Sequence, residues 1–188
     1  MRYETITPDK YKSMPWKNGK GTTRELYIRS EEGKDEFIFR LSIAGVTENG
    51  PFSDFSGYDR VLMMLEGNGV DLKHSDGTSH KIRGYSDMAV FSGDLKTTAE
   101  LCCGPIKDFN VMTLREVCQT EVIAVNGEVV LSENSGELFI FCCGDSAEAE
   151  FGNKVLTINY FELLHISDFM SGSVRITGDA IAVKILFK

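Results

Sequence analysis

Five polar side chains fall where one face of a strand would gather them. In "FIFRLSIA" Arg40 and Ser42 alternate with Phe39, Leu41 and Ile43; in "DFNVMTLR" Asp108, Asn110 and Met112 alternate with Phe109, Val111 and Thr113. Arg60 opens the apolar run "RVLMMLEG". Side chains two apart on a strand share a face, so each set lines one side of a sheet. A guanidinium turned inward is costly unless a carboxylate or a hydrogen-bonding network receives it. Two readings follow. In the first, Arg40 and Arg60 hold the carboxylate of a small ligand while Ser42, Asp108 and Asn110 fix its polar end. In the second, the arginines pair with Asp108 or Glu66 and only hold the fold closed.

"PFSDFSG" adds Phe55 and Ser53, beside Phe52 and Gly57. An apolar wall with a few convergent polar groups is the usual composition of a small-molecule site, so Trp16, Phe55 and Met112 are assigned to that wall. The alternative for this stretch is a loop pinned by its phenylalanines.

The stretch "PWKNGKGTTRE" (residues 15–25) tests a different chemistry. A phosphate-cradling loop requires Gly, four residues, then Gly-Lys-Ser/Thr at the start of a helix. Met14 stands at the first glycine position and Gly21 follows Lys20, and "TTRELYI" reads as a strand. Nucleotide binding through this loop is therefore not expected. Trp16, Asn18, Arg24 and Glu25 are retained as candidate ligand contacts, against the alternative of a tight turn entering an edge strand.

Metal chemistry finds little support. A metal site in a small β-barrel commonly uses a His-x-His pair, because two imidazoles on one strand face converge on an ion. Of the three histidines, His74 and His80 flank the hairpin tip "SDGTS", where exposure is expected, and His165 stands alone in an apolar segment. No metal and no cofactor are expected. Neither a Ser/His/Asp set, a nucleophilic-cysteine motif nor a Gly-x-Ser-x-Gly elbow can be read. The chain leans away from an enzyme, with acid/base chemistry by Asp108 and Glu25 as the catalytic alternative and an interaction protein with a vestigial pocket as a further one.

The elements that must position these residues are strands. Beyond those quoted, "EVIAV", "EVVLS", "LFIFCC", "VLTIN", "SVRIT" and "AIAVKILF" alternate or run apolar between turn signals such as "NG", "DG" and "GN". Helical periodicity is confined to short turns near "PDKYKSM" and "HISDFM". The chain also resembles itself: "LMMLEG" followed by a hairpin lies on "FIFCCG" followed by a hairpin, and "NVMTLR" on "AVKILF". The expected fold is all-β, a barrel or sandwich, and the internal repeat fits two stacked antiparallel barrels of jelly-roll type in one chain, with approximate bounds 1–115 and 116–188. No Pro/Ser-rich linker separates them.

Composition narrows the partners. Twenty basic against twenty-eight acidic residues give 20 − 28 = −8, a field that repels nucleic acid and anionic membranes. No apolar run reaches membrane-spanning length, and the polar N-terminus carries no secretory core, so a cytoplasmic location is expected. The five cysteines include two vicinal pairs, Cys102–Cys103 and Cys142–Cys143, read as reduced thiols on strands whose alternation keeps neighbours from bridging.

Three blocks carry a resemblance: "PWKNGKGTTRE", "FRLSIAGVTENGPFSDFSGYDRVLMMLEG" and "DFNVMTLR", in this order, resemble the signature blocks of the HutD/Ves family. They cover most of the first two thirds of the chain; from about Val117 on only the β character matches, and Lys20 departs from a further glycine usual there. The resemblance implies a bicupin fold, bacterial origin and a link to histidine utilisation and stress response. It implies a small-molecule-binding or regulatory role, with an anionic metabolite such as urocanate or formylglutamate as partner; a homodimer is a separate expectation.

Overall fold

Apolar/polar alternation broken by glycine-bearing turns folds into strands almost throughout. The computed structural model describes residues 2–16, 21–31, 33, 36–132, 136–168 and 172–188. In chain order the strands are β1 (Arg2–Ile6), β2 (Lys12–Pro15), β3 (Gly21–Ser30), β4 (Phe37–Val46), β5 (Gly50–Pro51), β6 (Tyr58–Glu66), β7 (Val70–His74) and β8 (Ser79–Ile82). They continue as β9 (Met88–Ser92), β10 (Thr97–Leu101), β11 (Ile106–Leu114), β12 (Cys118–Ser132), β13 (Gly136–Phe151), β14 (Lys154–Asn159), β15 (Leu163–Ser167) and β16 (Ser173–Phe187). Among the described residues the helical element is a 3-10 turn at Pro8–Lys10, inside "PDKYKSM". "HISDFM" instead begins within β15. No described helix is long and apolar enough to cross a membrane.

The chain divides into two units, Lys12–Val117 and Met1–Tyr11 with Cys118–Lys188. In the first, a six-stranded sheet in the order β2-β3-β4-β11-β6-β9 packs with a four-stranded sheet in the order β5-β10-β7-β8. Val46, Leu62 and Ile106 from the larger sheet meet Val70, Leu72, Ile82 and Ala99 from the smaller in one apolar cluster. The opposite face of the larger sheet is also buried, with Phe39, Leu41, Phe109 and Val111 all at 0% exposure, so the apolar half of the alternation in β4 and β11 is fully covered.

The second unit is one six-stranded sheet, β1-β15-β13-β16-β12 with β14 on β13. Here β1 pairs with β15, from Arg2↔Ser167 to Ile6↔Leu163, so the first strand of the chain belongs with the last third. "EVIAV" and "EVVLS" form one continuous strand, β12, as do "SVRIT" and "AIAVKILF" in β16. The "NG" between the first two does not turn the chain. Gly127 stands opposite Gly178, both at positive φ (96° and 107°), and a Cβ on Gly178 would lie 2.8 Å from the Ser146 carbonyl oxygen. The glycine pair bends both strands while keeping them paired.

The all-β architecture is as expected, but the two barrels are not closed. Each sheet keeps edges among the described residues: β2 and β9, β5 and β8, and β1 and β12 each pair on one side only. The thiols also need correcting: β10 ends at Leu101, so Cys102 and Cys103 lie exposed in a bend and not on a strand, whereas Cys118 and Cys142 are buried.

Candidate functional site

Strand register builds the site as a grid. β11 lies between β4 and β6, and its pairs align Arg40–Met112–Arg60, then Ser42–Asn110–Leu62, then Ala44–Asp108–Met64. Residues two apart share a face, so a cationic rung, a hydroxyl-amide rung and a carboxyl rung follow one another on a single side of the sheet. A cavity of about 590 Å³ opens on that side. Of the candidates read from sequence, Trp16, Arg40, Ser42, Ser53, Phe55, Arg60, Asp108, Asn110 and Met112 all line it. Met14, Pro15, Thr23, Ala44, Pro51 and Phe52 complete the wall.

Arg60 is 5% exposed and held by aromatic faces, its guanidinium carbon 5.0 Å from the Phe91 ring centre, 5.3 Å from Phe52 and 5.5 Å from Phe55. Its Nη2 donates to Asn110 Oδ1 at 3.0 Å, and Asn110 Nδ2 donates in turn to Asp108 Oδ1. Arg40 lies over Phe37 and Phe55, at 4.9 and 5.2 Å, and its Nη2 approaches Met112 Sδ at 3.5 Å. Three buried polar atoms of this group have no hydrogen-bond partner among the described residues: Arg40 Nε, Arg60 Nε and Asp108 Oδ2. Of the two carboxylates weighed as partners, Glu66 bonds Lys107, and Asp108 is linked to Arg60 through Asn110.

Removal from water sets the electrostatics. Burial drives the Asp108 carboxyl up to about 7, against the opposing pull of Arg60 and the Asn110 hydrogen bond. It also lowers Arg60 to about 10, partly offset by Asp108 and reinforced by Arg40. Arg40 is lowered for the same reason, with Glu25 and Tyr58 opposing. Both guanidiniums remain cations at neutral pH, in a protein whose net charge is −8.

Two of the remaining candidates stand apart. Arg24 is exposed, because Thr23 turns toward the cavity and its neighbour must turn away. Glu25 pairs with Ser42 in register and its charge acts on Arg40, but it does not line the cavity. Asn18 lies outside the described residues. Thr23 was legible through its spacing from Glu25; it accepts a hydrogen bond from the Trp16 indole Nε1 at 2.8 Å, which fixes that ring against the cavity. Phe91, which carries Arg60, had no local signal.

The histidines also differ from expectation. His74 is buried, with Nδ1 2.8 Å from Thr97 Oγ1 and Nε2 2.9 Å from His80 Nδ1. His165 is buried with Nε2 2.9 Å from Glu137 Oε2. Among the described residues no group of three His, Cys, Asp or Glu side chains could hold a metal ion.

The loop bearing Phe52 and Phe55 is tied by backbone bonds. Phe52 N donates to Thr97 O at 2.8 Å, Phe55 N to Gly93 O at 3.3 Å, and Gly57 N to Asp94 Oδ1 at 2.7 Å. Hydrogen bonds from Ser92, Gly57 and Arg115 hold the Asp94 carboxyl at about 2. A Cβ on Gly93 would lie 2.2 Å from the Phe55 carbonyl oxygen and 2.9 Å from that of Tyr58. Gly93→Ala is therefore expected to displace the loop and cost about 1–3 kcal/mol of stability, as overpacking does. Denaturant unfolding checks this, with an unchanged midpoint as the contrary result.

The family model described as HutD matches residues 8–181. An uncharacterized 21.2 kDa protein in the hutC 3′ region of Pseudomonas putida is 32% identical over 157 residues, covering 83% of this chain and 82% of that protein. Protein Ves of Escherichia fergusonii is 35% identical over 144 residues, covering 76% and 72%. Among solved structures, HutD from Pseudomonas fluorescens SBW25, in a formate condition, superposes with a TM-score of 0.88 at 26% identity and full coverage of both chains. A conserved protein of unknown function from Pseudomonas aeruginosa PAO1 gives 0.87 at 28%, again with full coverage.

Proposed function

The chain belongs to the HutD family, and from that premise we propose that it is a cupin-like protein that binds a small anionic metabolite between Arg40 and Arg60 and serves a regulatory role. The observation that carries this reading is the pair of inward guanidiniums whose buried Nε–H groups have no acceptor among the described residues, beside a cavity of about 590 Å³. A buried donor without a partner costs about 1–3 kcal/mol, and an anionic oxygen would recover that cost with charge-assisted bonds. Trp16, Phe52, Phe55 and Met112 supply an apolar wall for the ligand's body, while Ser42 and Asn110 supply polar contacts.

The formate condition of the Pseudomonas fluorescens structure and the hutC region of the Pseudomonas putida relative point to small carboxylates of histidine breakdown, urocanate and formylglutamate being the first to test. Calorimetric titration with these acids and an uncharged amide of one of them measures it. Binding of the acids and not of the amide is the expected result; no binding by any carboxylate ends the proposal.

One observation favours a second reading. A carboxyl with a pKa of about 7 in a cavity is suited to general acid/base catalysis. Turnover of a metabolite by the protein, lost in Asp108→Asn, would favour an enzyme over a binding protein.

A further inference from the structure

The buried polar atoms of the cavity that have no hydrogen-bond partner among the described residues share one chemical character. Arg40 Nε and Arg60 Nε are N–H donors, and Asp108 Oδ2 becomes a third donor when the carboxyl is protonated. Asp108 is placed for that role. Its Oδ1 already accepts from Asn110 Nδ2, which leaves Oδ2 to carry the proton. The Arg60–Asn110–Asp108 chain runs in one sense, each group donating to the next, so the Asn110 carboxamide is oriented at both ends.

Charge favours the same state. Arg40 and Arg60 contribute two positive charges, and Glu25, one strand away on β3, contributes one negative. A bound monoanion then brings the group to neutrality only if Asp108 is uncharged. An ionised Asp108 would place a second anion beside the ligand in a site walled by aromatic rings, and like charges in an apolar enclosure disfavour joint ionisation.

We propose, on the premise of the anion-binding reading above, that Asp108 receives the ligand as a neutral carboxylic acid, its Oδ2 hydroxyl completing a three-donor cradle with the two arginine Nε–H groups, so that anion binding is coupled to uptake of a proton. The ligand class this selects is a monoanion that offers acceptor oxygens to the cradle and no donor to Asp108. Dianions and ligands whose only polar group beyond the carboxylate is a donor are disfavoured, so of the two acids named above this cradle fits the monoanion urocanate and not the dianion formylglutamate. Asp108 is a specificity-determining residue in this scheme, since its proton decides which anions leave no charge unbalanced.

The sign of the linkage follows. Burial alone already holds the Asp108 carboxyl near about 7, and the ligand's negative charge raises it further. Above pH 7 the unliganded protein must first take up a proton, so affinity falls with rising pH. Arg60 on β6, Arg40 on β4 and Asn110 on β11 share the cavity with Asp108; burial lowers both arginines, Arg60 to about 10. His74 on β7, beyond Phe91, is kept below the ordinary imidazole value by its own burial and by His80, with Asp76 opposing.

The test uses formate and 3-(2-furyl)acrylate, two monocarboxylates that offer only acceptors and do not titrate between pH 6 and 9. Calorimetry on the intact protein should show affinity falling by about an order of magnitude or more between pH 6.5 and pH 8.5, with about one proton taken up at pH 8 when two cationic buffers, triethanolamine and Tris, are compared. Asp108→Asn keeps an N–H donor at the same place and removes the titration, so its affinity should be flat with pH and exceed that of the wild type at pH 8.5. Flat wild-type affinity, or proton release on binding, overturns the role of Asp108 while leaving anion binding intact. Failure of both probes to bind at any pH overturns both. Should the asparagine variant not fold, the wild-type pH profile and the buffer comparison decide alone.

Discussion

Arg60→Ala is expected to abolish anion binding, with an affinity loss of about two orders of magnitude or more, while the protein remains folded. Truncating one partner of a desolvated, charge-assisted contact costs about 2–5 kcal/mol, of which the larger part is the charge left without its partner. The variant removes one of the two cations that define the cationic rung and the donor that orients Asn110. It also removes the positive charge opposing the upward shift of Asp108, so that carboxyl moves further above about 7. Stability responds less than binding, because the wild-type cavity already bears the cost of a buried cation, and deleting such a charge offsets part of the lost packing. Circular dichroism and calorimetry with urocanate separate the two effects. Binding within threefold of the wild type would mean that Arg60 is a structural group and not a ligand contact.

Phe91→Ala is the largest expected loss of stability, about 3–5 kcal/mol, from the lost transfer energy and the void left behind. The ring is 7% exposed and joins the apolar cluster that holds the two sheets of the Lys12–Val117 unit together. It also lies 4.8 Å from the His74 ring centre and 5.0 Å from the Arg60 guanidinium carbon. Its loss therefore releases Arg60 from one of the three aromatic faces that position it, and binding weakens along with the fold. Phe91→Leu restores most of the volume without the π face. It should recover most of the stability and less of the affinity; equal recovery of both would remove the ring's electrostatic role. Urea unfolding followed by tryptophan fluorescence, with titration of each variant, measures the pair.

The main parts of the cavity wall were legible along the chain because they obey a local rule. Arg40 and Ser42, or Asp108 and Asn110, are two residues apart, and period-two alternation alone puts each pair on one face. The same rule explains the failure at Arg24: alternation separates it from Thr23, but nothing local tells which of the two faces the cavity. His74 was misjudged because a hairpin flank is exposed by default, and here Thr97 and Phe91 cover it. The "NG" at Asn126–Gly127 carries the usual signal of a turn, and only the opposing Gly178 makes it a bend.

By its sequence alone this chain was determined to be built of strands, acidic, and a member of a family whose signature blocks it carries, since alternation, charge and motif are properties of neighbours along the chain. The tertiary structure decided what those strands enclose. Arg60 and Asn110 are 50 residues apart and meet only because β11 is inserted between β4 and β6 in one register. A one-residue slip would turn every one of these side chains to the opposite face. Desolvation, which lifts Asp108 to about 7, is likewise a property of everything packed around it and of no residue beside it in the chain.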